Sequence, residues 1–177
     1  MIRRRRLVAA AVLAGFATGV VWSPARVDAT RADPNAFVVA HLRIPRIGLS
    51  VKAREGVDRR TLWRGVGHYP GTQMPGQVGN AVFLGHRTTG RAPFADLDRL
   101  RRGDRITVRS GGRSRDYSVT AVRIGPANAW SALAPVPFHP RRRAVESVIT
   151  LITCHPKGSD RKRLIVTARQ NRTPTGA

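Results

Sequence analysis

An all-β chain that closes into a barrel is what three features of this sequence predict. Short runs of β-branched and aliphatic residues recur between about residues 37 and 168. Glycine and proline, 17 and 12 copies in 177 residues, separate those runs at short intervals. Helical periodicity is confined to a few brief segments. Many short strands with turn signals between them and little helix favour a closed or nearly closed β-barrel. A hydrophobic content of 41% over this length supports one domain with a real core.

The chain opens on Met1-Ile2-Arg3-Arg4-Arg5-Arg6, followed by an uncharged apolar run over residues 7–22. Arginines abutting such a run have the pattern of an export signal, which keeps them in the cytoplasm and places everything after Trp22 outside. The run is slightly shorter than the roughly 20 residues of a comfortable span, and Trp22 and the arginines extend it as interfacial anchors. Residues 1–22 are therefore expected to be a single-pass transmembrane signal-anchor, in preference to a signal peptide removed near Val27-Asp28-Ala29. Residues 23–35, polar and containing Pro24, Asp33 and Pro34, read as a linker. Residues 36–170 are the folded domain, and 171–177 a polar tail.

Within the domain, residues 37–44 and 47–51 are short strands separated by Pro45, which suits a bend or a sheet edge. Asp58 is placed to N-cap a brief helix through Trp63. Residues 68–80 carry too much proline and glycine for helix or strand and read as a loop. Residues 80–86 form a buried strand ending at a histidine. Residues 93–100 read as a short helix with Leu97 and Leu100 on one face. Residues 105–108 and 117–124, joined through Gly111-Gly112, form a hairpin. Residues 128–133 supply one helical turn ahead of Pro135-Val136-Pro137. A strand then runs from 147 to 153, and Pro156 stops it, so that Cys154 sits where a rigid strand opens into a loop. Residues 163–168 are the last strand.

The formal charge of +22 comes mostly from arginine, since the chain has only three lysines, Lys52, Lys157 and Lys162. The basic clusters are dispersed, and few aromatic residues interleave with them to stack on bases. This weighs against a nucleic-acid partner and favours anionic wall polymers or lipid head groups.

Cys154 is the only cysteine, and an unpaired cysteine in an exported chain points to a reactive thiol or to an intermolecular pair. A thiol that attacks an amide carbonyl needs a proton donor for the leaving amine and a cationic or N–H group for the oxyanion. His86 ends its strand after Gly85 and is the best general acid/base. Arg163 begins the last strand and offers a fixed fork of donors, with Arg161 and Lys162 as competitors that charge alone does not separate. His155 adjoins Cys154 but points to the opposite side if the strand continues. His68 and His139 fall in proline-rich loops, and His41 in the first strand. No residues have metal-ligand spacing, and no glycine-rich phosphate loop is present, so no cofactor is expected.

Thr150-Leu151-Ile152-Thr153-Cys154 resembles the TLxTC signature of sortases, the membrane-anchored cysteine transpeptidases of Gram-positive bacteria. Gly85-His86-Arg87-Thr88 resembles their histidine motif, and Arg163-Leu164-Ile165-Val166 the segment bearing their arginine, which singles out Arg163. Gly67-His68-Tyr69-Pro70-Gly71-Thr72 and Cys154-His155-Pro156 are most similar to the class E subgroup of actinobacteria, and the likeness runs from about residue 42 to 168. Gly90-Arg91 departs from that pattern, as does the run Arg141-Arg142-Arg143. The resemblance implies an eight-stranded sortase barrel with Cys154 as nucleophile, His86 as acid/base and Arg163 as oxyanion and substrate stabiliser. It also implies that Thr88, Thr153 and His155 bind substrate. The implied substrate is an LPxTG-like sorting signal, or its LAxTG variant, cleaved between Thr and Gly. The implied partners are surface proteins bearing that signal and an amine of a peptidoglycan precursor. Another Cys/His wall acyl-transfer enzyme (an L,D-transpeptidase or a cysteine peptidoglycan hydrolase) and a non-catalytic basic wall-binding module are the alternatives.

Overall fold

A computed structural model of the protein describes residues 38–172. The expected signal-anchor and linker, and the tail beyond Arg172, lie outside the described residues. Among the described residues no helix is long and apolar enough to cross a membrane.

Eight strands close into one barrel, seven of them at the apolar runs of the sequence and one, β3, additional to them. They are β1 (Val38–Ile44), β2 (Leu49–Glu55), β3 (Val66–His68), β4 (Gly79–Gly85), β5 (Arg105–Ser110), β6 (Arg113–Pro126), β7 (Ser147–His155) and β8 (Lys162–Gln170). Around the barrel the order is β1-β2-β3-β4-β7-β8-β6-β5, and β5 pairs back onto β1. Pairing is antiparallel except for β2 with β3 and β4 with β7. Parallel neighbours cannot be joined by a tight turn, so each such pair needs a crossover. The first crossover carries helix α1 (Arg59–Arg64). The carboxylate of Asp58 caps this helix, accepting from the Arg60 and Thr61 amides. The second crossover contains the whole β5–β6 hairpin, which brings the chain back to lay β7 beside β4.

Alternation along the strands sorts the apolar residues into two sets. Alternate positions of all eight strands meet in the barrel interior, among them Leu42, Phe83, Ile106, Tyr117, Leu151 and Val166. The intervening positions of β4, β7 and β8, represented by Val82, Ile152 and Ile165, face outward and pack beneath Ala132 and Phe138 of the β6–β7 connection. Each fully buried side chain of this size contributes about 1.5–3 kcal/mol through removal from water.

Three elements differ from the sequence expectation. Val66–His68 is a strand, too short to show a pattern, that exists because β2 and β4 flank it on both sides. His68 is consequently buried. Its Nε2 donates to the carbonyl of Gln73, and its Nδ1 lies 2.7 Å from the carboxylate of Glu55. Residues 93–100 form only a short 3-10 turn, Leu97–Arg99, whose amides bond three residues back, Leu97 to Phe94 and Leu100 to Leu97, while the Phe94 amide bonds to the His86 carbonyl. Finally, β7 does not end at Thr153: its ladder with β8 runs on through Cys154 and His155.

Candidate active site

The pairing registers place three of the sequence-predicted residues side by side. Cys154 on β7 is the Cα partner of Arg163 on β8, and His155 is the partner of Lys162. Residues directly opposite in a sheet project to the same face, so Arg163 shares the face of Cys154 while Lys162 belongs to the other. Arg161 lies before the start of β8 and is exposed. On the other flank the parallel ladder pairs Leu84 with Ile152. Carried two residues beyond the last pair, past the end of β4 at Gly85, that register sets His86 beside Cys154 and Arg87 beside His155. Two contacts confirm that the strands stay in step: the Thr153 hydroxyl donates to the Gly85 carbonyl at 2.7 Å, and Arg87 Nη1 donates to His155 Nδ1 at 2.8 Å. Cys154 and Arg163 therefore form a row across β7 and β8, and the register carried past the end of β4 brings His86 to its other flank, adjacent strand backbones lying about 4.8 Å apart.

The row lies on the outward face, in line with Val82, Leu84, Ile152 and Ile165 and under the β6–β7 connection. Buried Asn80 pins that connection, its Nδ2 donating to the carbonyls of Ala132 and Ala134 while its Oδ1 accepts from Thr150. The result is an apolar floor that ends at a thiol. Cys154 is free and half-buried. His86 is also half-buried, and among the described residues no carboxylate is hydrogen-bonded to its ring. Arg163 uses Nη1 to hold the carbonyls of Asp160 and Lys162 at 2.6 and 3.1 Å, which orients the guanidinium.

The predicted substrate-contacting residues are distributed differently. Thr88 is exposed beyond the end of β4. Thr153 and His155 alternate with Cys154 and turn to the inner face, where their polar atoms are engaged by Gly85 and Arg87. The structure does not bring these two side chains to the face that carries the thiol. Sequence reading passed over Arg87 and Asn80. Both are buried polar residues, and their partners lie 8 to 68 positions away in the chain for Arg87 and 52 to 70 for Asn80. Alternation offered one signal for Arg87: a residue following His86 must face away from the thiol.

A sortase-domain family model matches residues 42–171. Sortase SrtE1 of Streptomyces coelicolor is 35% identical over 136 residues, a segment covering 72% of this chain and 38% of that protein. Sortase D of Bacillus subtilis is 29% identical over 128 residues, covering 71% of this chain and 60% of that one. The match thus takes in less than two thirds of each of these relatives. Among solved structures, the SrtA sortase of Actinomyces oris superposes with a TM-score of 0.72 at 30% identity, covering 76% of this chain and 79% of that one. Sortase E1 of Streptomyces coelicolor, solved with a tripeptide in its active site, gives 0.71 at 29% identity, covering 78% and 90%. With the family model spanning nearly the whole barrel and the row of sulfur, imidazole and guanidinium inside the matched region, this chain belongs to the sortase family.

Proposed function

We propose that the protein is a cysteine transpeptidase that joins surface proteins to the cell wall. Its substrate is an LPxTG-like sorting signal or the LAxTG variant. The Cys154 thiolate attacks the threonine carbonyl, forming a C–S bond and an oxyanion that Arg163 stabilises. The tetrahedral intermediate collapses, the Thr–Gly C–N bond breaks, and His86 gives its proton to the departing glycine amine. The amine of a peptidoglycan precursor then attacks the thioester, His86 takes the proton back, and Cys154 is released. Leu84, partly buried at the edge of the covered apolar cluster, offers a contact for the apolar residues of the signal. The Arg-rich apolar start of the chain would hold the enzyme at the membrane, where the acceptor is presented.

The single observation that carries this reading is the cross-strand pair of Cys154 with Arg163, with the chain segment that bears His86 tied alongside through Thr153 and Arg87. The test is acylation: incubated with a sorting peptide, the wild-type chain gains the mass of the peptide's acyl part, and Cys154→Ala gains none. An adduct on the alanine variant would sink the assignment.

A further inference from the structure

We propose that Arg87 is a positioning residue for acyl transfer, a buried guanidinium that ties the end of β4 to the end of β7 and so holds His86 beside Cys154. This rests on the acyl-transfer reading of Cys154 and His86.

The backbone ladder between β4 and β7 runs to Leu84 and Ile152, two residues short of His86 and Cys154. Beyond it the alignment of the two strands depends on side chains. Two are in place: the Thr153 hydroxyl on the Gly85 carbonyl, and Arg87. Arg87 follows His86 directly in the chain, so what fixes its guanidinium also limits the histidine backbone. Its Nη1 donates to His155 Nδ1 at 2.8 Å and reaches the carbonyl of Cys154 itself at 3.4 Å. From the far side, Asp98 Oδ2 accepts from Nη2 at 2.9 Å and the Ala95 carbonyl lies 3.5 Å from Nε. A guanidinium only donates, so His155 Nδ1 must accept and its ring proton sits on Nε2. Arg87 is 4% exposed. A charge buried this far is unfavourable unless its partners are fixed, and an apolar side chain would fill the same space without it. What an apolar plug lacks is a planar fork that can bond two strand ends and a third segment together.

Steady-state kinetics of the whole chain on a sorting peptide, together with amide hydrogen exchange, test this. In Arg87→Met and Arg87→Lys, kcat is expected to fall roughly 100-fold, the scale of an ångström of misplacement at a reacting centre, while KM stays within about twofold. Lysine keeps the charge for Asp98 but cannot bridge, so its failure to rescue separates geometry from charge. Free guanidinium ion is expected to restore part of the kcat of Arg87→Ala. In each variant the amides of 84–87 and 152–155 exchange faster while those of β6 and β8 do not change. Should Arg87→Met fail to fold, Asp98→Asn is expected to give the same local exchange and a smaller loss of kcat, about tenfold. Wild-type kcat in the folded variants, a loss confined to KM, or a uniform rise in exchange across the barrel overturns the proposal. A wild-type chain that forms no acyl-enzyme defeats the functional reading instead, and the exchange pattern, which needs no substrate, still decides the clamp.

Discussion

Among the described residues Arg163 hydrogen-bonds the protein through Nη1 alone, which leaves the Nε and Nη2 donors for a substrate. A lysine there would keep the charge and lose the fork. Arg163→Lys is expected to slow acylation roughly 100- to 1000-fold, the range seen on removal of an oxyanion donor, with rapid-quench detection of the acyl-enzyme as the measurement. A second residue-scale prediction concerns Asp58. Its carboxyl is held below the usual aspartate range, first by the hydrogen bond from the Thr61 hydroxyl and then by the Thr61 amide. A depressed folded-state value stabilises the fold above the unfolded value of about 3.9, and that contribution disappears as pH falls through the folded value. Asparagine also caps but does not titrate in this range. Urea midpoints followed from pH 6 to 3 are therefore expected to drop more steeply for wild type than for Asp58→Asn. Parallel curves would remove the cap from the pH response. Cys154 and His86 stood out in the sequence because acyl transfer needs a thiol and an acid/base and each falls near a strand end, whereas Arg163 was separated from Arg161 and Lys162 only by the family resemblance. Arg87 was not, because its contacts at 95, 98, 154 and 155 come together only when β7 lies beside β4.

At the level of elements, β4 and the 93–99 segment come together at Gly85. A Cβ on this glycine would lie 2.8 Å from Cδ2 of Phe94 and 3.0 Å from Cγ of Pro93. Phe94 is fully buried and cannot swing aside. Gly85→Ala is expected to cost about 1–3 kcal/mol by overpacking, read from chemical denaturation. It should also lower acylation, because the segment it displaces carries Ala95 and Asp98, which hold Arg87. A variant as stable and as active as wild type would show that the close approach has no consequence. The strands themselves were largely readable from β-branched runs, and the hairpin of β5 and β6 from Gly111-Gly112. Length is what hid the rest. β3 is three residues, one of them glycine, and holds its conformation through its two neighbours rather than through any preference of its own. β7 was cut short at Thr153 because aliphatic character ends there, yet pairing with β8 carries it two residues further and makes Cys154 a strand residue.

For the molecule as a whole, barrel closure could be predicted but the strand order could not. β7 enters between β4 and β8, and β5 closes onto β1, through contacts that local pattern does not encode. That order divides the barrel into unequal arcs. β6, β7 and β8 are 14, 9 and 9 residues long and lie side by side, whereas β3, at 3 residues, joins β2 to β4. Backbone hydrogen bonds in long adjoining ladders over a sealed core open only with the whole fold, while a three-residue link opens locally at lower free energy. Cys154 and Arg163 thus stand on the rigid arc, and His86 directly follows the strand that joins it to the weaker one. Amide exchange measured at increasing sub-denaturing urea is expected to separate the two. Residues 149–153 and 164–168 should show the full denaturant dependence of global unfolding. Residues 66–68 should exchange through openings that urea scarcely affects. If β3 instead shares the slowest, most urea-dependent class, the barrel is a single cooperative ring. The histidine would then be held as firmly as the thiol, and substrate entry could not draw on looseness along β2, β3 and β4.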